Sequence, residues 1–117
     1  MPKPTVSKLV MIRKTDEFSS VFSFRKRYTS EHLVVHFKPN QLHTVRVGFV
    51  VAKKVAKLAL RRNYMRRVLR ELCRQEQFIL DGVDVVIQVT KPFYNAEFTA
   101  LKQELVDVFG KIQHRLA

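Results

Sequence analysis

Hydrophobic and polar positions recur along this chain with two different periods. In HLVVHFK (32–38), Leu33, Val35 and Phe37 share one face while Val34, His36 and Lys38 share the other. In TVRVGFVVA (44–52), Val45, Val47, Phe49 and Val51 oppose Arg46, Gly48 and Val50. A period of two predicts strands. The short polar stretch from Pro39 to His43 between them predicts an antiparallel hairpin. Gly48, mid-strand, permits close approach by a neighbour or a ligand. After a turn at Asp81 and Gly82, VDVVIQV (83–89) is apolar at nearly every position, the pattern of a strand covered on both faces. A helix separates it from the second strand, so those two are expected to pair parallel as a βαβ unit.

That helix carries the other period. Across KKVAKLALRRNYMRRVLRELCR (53–74), Arg62, Asn63, Arg66, Arg67, Arg70 and Arg74 fall within one arc of about 140° at 100° per residue. The only apolar side chain in that arc is Cys73. Leu58, Tyr64, Met65, Val68, Leu69 and Leu72 fill the opposite side, so the segment reads as an amphipathic helix entered through a lysine-bearing loop. Arg61 projects from the apolar side near the first turn, where a long side chain can snorkel to water. Two more helices flank these elements. Thr15 is the expected N-cap of DEFSSVF, with Asp16 and Glu17 at the positive end of the helix. Phe18 and Phe22 stand four apart on one face, and spacing alone leaves them as core residues or as a platform for a ligand. Asn95 is the expected cap of a final helix whose stripe, Phe98, Leu101, Leu105, Val108, Phe109 and Ile112, reads as core. Residues 1–14 hold two prolines, four basic groups and no acid, which predicts a flexible basic arm. Residues 23–31, with Arg25, Lys26 and Arg27, read as a basic loop. The remainder, 15–117, forms a single α+β domain.

Charge turns this outline toward a partner. Twenty-two Lys and Arg against ten Asp and Glu give +12 over 117 residues, spread along the chain. Solvated helix faces usually mix signs, yet the arginine arc holds no carboxylate. Guanidinium groups stacked on one side repel each other, and their planar forks suit phosphate oxygens. A polyanion is therefore the expected partner. No segment approaches the roughly 18 apolar residues that span a bilayer, and the run Leu9 to Ile12 is too short for a signal-peptide core, so a cytoplasmic location with no membrane partner is expected. A single cysteine, Cys73, excludes an internal disulfide framework and is read as inert packing.

Catalytic chemistry is missing from the pattern. His32, His36, His43 and His114 lack metal-ligand spacing and read as surface or strand residues. No phosphate-binding loop, dinucleotide fingerprint or nucleophile elbow occurs, and nothing points to a small-molecule substrate. A metal-dependent nuclease needs clustered carboxylates to hold two cations. Here Asp and Glu are dispersed, so any phosphodiester chemistry must draw its catalytic groups from elsewhere.

RNYMRRVLRE (62–71), preceded by GFVVAKK, resembles the arginine-asparagine-arginine helix of the bacterial ribonuclease P protein subunit. The DEFSSVF helix, the strands ending in RVGFVVAKK and the late strand ending in Lys91 and Pro92 occur in that family's order, so the resemblance covers nearly the whole chain. It implies a small αβ sandwich with a left-handed βαβ crossover, against the usual right-handed rule. It implies a partner too: a large catalytic RNA that holds the magnesium ions and removes the 5′ leader from precursor tRNA. No cofactor is then held by protein side chains alone. Residue by residue, the resemblance assigns RNA contact to Arg62, Asn63, Arg66, Arg67 and Arg70, with Lys53 and Lys54 in the loop before them. It assigns a cleft for the single-stranded leader to Phe18 and Phe22, with Val35, where relatives often carry tyrosine, and with Val47, Phe49 and Lys91 as neighbours. Stacking and apolar contact tolerate any base, as a leader of variable sequence requires. Rival readings are a ribosomal or general RNA-binding protein, a protein-only nuclease, which the missing acidic cluster opposes, and a DNA-binding protein, which lacks helix-turn-helix spacing.

Overall fold

The computed structural model describes residues 9–76 and 80–116. Its elements in chain order are β1 (Val10–Met11), α1 (Thr15–Phe24), β2 (Arg27–Thr29), β3 (Leu33–Pro39), β4 (Val45–Val51), α2 (Ala59–Glu76), β5 (Val83–Val89), a 3-10 turn (Asn95–Glu97) and α3 (Phe98–Leu116). The strands form one sheet in the order β1-β4-β5-β3-β2. The βαβ expectation holds: β4 and β5 pair parallel, from Val45 opposite Val83 to Val51 opposite Val89.

The hairpin does not form. β5 inserts between β3 and β4, running antiparallel to β3 and parallel to β4. The physical reason lies in VDVVIQV itself. A strand apolar on both faces gains most at the centre of the sheet, where helices cover both sides. Val83, Val85, Val86 and Ile87 are all fully buried there.

Two other expectations are corrected at sheet edges. Val10 and Met11 pair parallel with Arg46 and Val47, and Ile12 is buried, so the basic arm gives up its C-terminal end to the sheet. Residues 1–8 lie outside the described residues. Within the expected loop 23–31, Arg27–Thr29 pairs antiparallel with Val34–His36. Arg25 makes this possible by taking φ of 61° as the C-cap of α1, turning the chain back along the sheet.

The helices sort to the two sides of the sheet. α2 and α3 bury Met65, Leu69, Leu72 and Cys73, together with Leu101, Leu105, Val108, Phe109 and Ile112, against Leu33, Val35, Phe37, Val47, Val85 and Ile87. Burial pushes the Cys73 thiol pKa up, in keeping with inert packing. Phe98, expected in the same stripe, stays 40% exposed at the start of α3. Leu58, expected on the apolar face of α2, precedes the helix and is exposed.

α1 covers the other face with Phe18, Val21 and Phe22 against Ile12, Val50 and Val86. Its N-cap is Lys14, one residue earlier than expected, because the Glu17 carboxylate accepts the Lys14 and Arg13 backbone N–H groups at 3.1 and 3.3 Å. Glu17 also meets Arg46 at 2.6 Å, and Arg46 grips Asp84 with two bonds of 2.8 and 2.6 Å. This triad ties α1 to β4 and β5, with one guanidinium shared between two carboxylates.

Gly48 has a specific role in that packing. A Cβ built there lies 2.5 and 2.7 Å from Cε1 and Cζ of Phe18, so only glycine lets the ring lie on the strand. Gly48→Ala should cost about 1–3 kcal/mol in urea unfolding by displacing that ring. In a Phe18→Ala background the same change should cost almost nothing; equal costs in both would show that the ring is not what glycine makes room for.

Candidate nucleic-acid interface

α2 lies against the sheet through its apolar side and turns its arginines outward. Arg67, Arg70 and Asn63 are exposed, Arg66 half-exposed, and Lys53 and Lys54 stand exposed in the turn before the helix. Among the described residues no carboxylate comes within ion-pair distance of Arg62, Arg66, Arg67 or Arg70. Glu71, within α2, is engaged by Arg74, while Glu17 and Asp84 pair with Arg46 on the α1 side of the sheet and Glu104 pairs with His32. The ridge thus keeps an unscreened positive field along about two turns, the electrostatic footprint of a phosphate-binding surface.

Not every arginine of the arc is equivalent. Arg62 donates from Nη1 to the carbonyls of Ala56 and Lys57 at 2.9 and 2.8 Å, so it also fixes the loop that carries Lys53 and Lys54. Arg66 donates to Asn63 Oδ1 at 3.0 Å, pre-orienting both side chains. Arg74 is paired with Glu71 and marks the end of the unpaired stretch. Arg61 reaches outward as expected and lies 5.4 Å from the Tyr94 ring centroid, a cation–π arrangement.

On the α1 face, the proposed cleft residues do not all meet. Phe18 and Phe22 are half-buried and stand together over the sheet. Val35 and Val47 are fully buried on the opposite face, under α2 and α3, and Phe49 packs against that same core. The error is one residue in each strand: successive side chains point to opposite faces, so the neighbours of the expected residues are the ones that face α1. Those neighbours are His36, Gly48 and Val50. The His36 ring meets Phe22 edge-on at 4.6 Å, and its Nε2 donates to Gln88 Oε1 at 3.0 Å. The aromatic position facing α1 is therefore His36 rather than Val35. Lys91 is exposed beyond the end of β5, its Nζ 3.4 Å from Glu31.

His32, expected as a surface or strand residue, is only 3% exposed. Its Nδ1 meets Glu104 Oε2 at 2.6 Å and its Nε2 meets Glu97 Oε2 at 2.9 Å. Glu104 Oε1 also accepts the Ser30 hydroxyl and the His32 backbone N–H. Glu31, His32 and Glu104 bring one donor atom each within 4.8 Å. His32 and Glu104 are already spent on one another and Glu31 pairs with Lys91, which makes the His32–Glu104 pair a staple between the start of β3 and α3. Nothing in the sequence spacing, 72 residues from His32 to Glu104, could have joined them.

The sequence matches the family described as Ribonuclease P over residues 6–113. The chain belongs to that family. It is 42% identical over 101 residues to the ribonuclease P protein component of Azoarcus sp. (strain BH72), covering 86% of this chain and 84% of that one. It is 46% identical over 99 residues to that of Chromobacterium violaceum, covering 85% and 82%. The fold is similar to the RNase P protein of Staphylococcus aureus, with a TM-score of 0.73 at 20% identity over 87% of this chain and 99% of that one. It is also similar to the RNase P protein from Thermotoga maritima, with a TM-score of 0.64 at 29% identity over 91% and 90%. The ribonuclease P family acts in 5′ leader processing of tRNA together with an RNA subunit. The expected α+β architecture and the expected family are both borne out. No helix among the described residues is long and apolar enough to cross a membrane.

Proposed function

We propose that this chain is the non-catalytic protein subunit of a cytoplasmic ribonuclease P. It binds the catalytic RNA through Lys53, Lys54, Arg62, Asn63, Arg66, Arg67 and Arg70. It receives the single-stranded leader of precursor tRNA over Phe18, Phe22 and His36. The observation that carries this reading is the one-sided arginine ridge left without carboxylate partners from Arg62 to Arg70 among the described residues.

Bringing RNA against RNA is opposed by phosphate repulsion, and a basic protein between them lowers it by displacing counterions. Hydrolysis then belongs to the RNA and its magnesium ions. The chain's carboxylates fit a two-ion site poorly, because Asp84, Glu17, Glu71 and Glu104 are each committed to an arginine, a histidine or a hydroxyl.

Reconstitution with a bacterial ribonuclease P RNA at low magnesium tests this directly: the chain should stimulate 5′ maturation of a precursor tRNA and cleave nothing without the RNA. Phe18→Ala with Phe22→Ala should weaken binding of precursor by about tenfold and leave mature tRNA nearly unaffected, since stacked leader bases are the contact removed. An equal effect on both would remove the leader role. Cleavage by the protein alone would overturn the non-catalytic assignment.

A further inference from the structure

Beside the ridge lies a groove that phosphate binding does not explain. Leu60 and Tyr94 are 76% and 45% exposed, unusual for side chains of their size. Both line a cavity of about 350 Å³, in the size range of small-ligand sites. Tyr64 and Asn95 close one wall, the Tyr64 hydroxyl donating to Asn95 Oδ1. That bond engages the amide oxygen, and Asn95 Nδ2 has no partner among the described residues. Arg61, stacked near the Tyr94 ring, and Arg67, shared with the ridge, supply the charge. Among the described residues no carboxylate lines the groove.

We propose that this groove holds one unpaired nucleotide of the RNA that lies on the arginine ridge. Paired RNA keeps its bases inside the helix, so it offers these aromatic and aliphatic walls nothing to bury. An extruded base offers a π-face to tyrosine, an edge to an amide, and flanking phosphates to arginine. The combination of apolar walls, an amide nitrogen without a partner among the described residues, and cations fits that chemistry, and the cations repel an acid-free basic segment such as residues 1–8. Continuity with the ridge through Arg67 fixes which RNA supplies the base. The inference rests on the proposed binding of the catalytic RNA to α2.

The chain has no tryptophan, so Tyr94→Trp gives a single emitter inside the groove, and Leu42→Trp, on the exposed β3–β4 connection, gives a remote control. Titration with a bacterial ribonuclease P RNA should quench Tyr94→Trp and leave Leu42→Trp unchanged, and a fully paired RNA duplex should quench neither. Tyr94→Ala should lower affinity for the catalytic RNA by about tenfold with an unchanged salt dependence, while Tyr94→Phe, which keeps the ring, loses far less.

Emission from Tyr94→Trp that ignores the catalytic RNA, or that responds equally to duplex, overturns the proposal. So does quenching by raised protein concentration alone, which would put a second copy in the groove. If that variant is silent while replacing Arg66, Arg67 and Arg70 still abolishes tight binding, the base pocket falls and the ridge stands. If replacing those arginines changes nothing, the reading beneath it falls.

Discussion

Replacing Arg66, Arg67 and Arg70 together with alanine is expected to weaken binding to a bacterial ribonuclease P RNA by about 100-fold at 0.1 M salt. The slope of log affinity against log salt should become shallower by about 2 to 3, one increment for each phosphate no longer neutralised. The fold should survive. These side chains point to solvent, and the one hydrogen bond lost, Arg66 to Asn63, is an exposed one. Alanine is also at least as good a helix former as arginine. Arg62 differs from these three: its bonds to Ala56 and Lys57 mean that removing it would also loosen the lysine-bearing loop. Filter binding at several salt concentrations, with thermal melting of the same variant, decides the matter. An unchanged salt slope, or a collapse of the melting temperature, would make the ridge structural.

Glu104→Ala should destabilise the fold by about 3 kcal/mol. One carboxylate accepts from the Ser30 hydroxyl, the His32 backbone N–H and the His32 ring, so its loss strands the two His32 donors, almost fully buried, and leaves the Ser30 hydroxyl only the Leu33 carbonyl. The same cluster predicts a pH dependence. Burial by itself would push the His32 pKa down, but the hydrogen bond and charge of Glu104, aided by Glu97 and Glu31, raise it above its ordinary 6.5. Its contribution is therefore complete below about pH 6.5 and fades as pH climbs through the raised value. For Glu104, burial favours the neutral acid, yet Ser30 and His32 hold its pKa below the ordinary 4.5. That contribution is present above about pH 4.5 and is lost as pH falls through the lowered value. The staple is thus complete between these limits. Urea unfolding across pH 4 to 9 should show stability from this cluster declining on the alkaline side in the parent chain and much less in Glu104→Ala. Parallel profiles for the two would exclude His32 as the titrating group.

Much of the fold was legible in hydrophobic period. The strands at 33–39, 45–51 and 83–89 and the apolar stripe of α3 emerged where the alternation put them, and β4-α2-β5 paired parallel because a helix-length crossover leaves little alternative. The hairpin failed for a reason local pattern does not contain. The five residues from Asn40 to Thr44, polar but for Leu42, close a turn equally well whether β3 and β4 touch or leave room for a third strand. Only the need to cover VDVVIQV on both faces decides between them. Val35, Val47 and Phe49 were misassigned for a related reason. Alternation separates two faces of a strand but does not say which face each helix covers, and both faces of β4 and β5 are apolar enough to pass for core.

The arginine ridge was determined by the sequence alone, because a helix surface is built from residues three and four apart and needs no distant partner to define it. Whether those charges remained available was a tertiary matter. It depended on Glu71 pairing with Arg74, and on the fold placing Glu17 and Asp84 with Arg46 across the sheet and Glu104 with His32. The groove at Tyr94 and the partner of Phe22 likewise came only from packing, since the residues that meet there are separated by a dozen to dozens of positions and share no period.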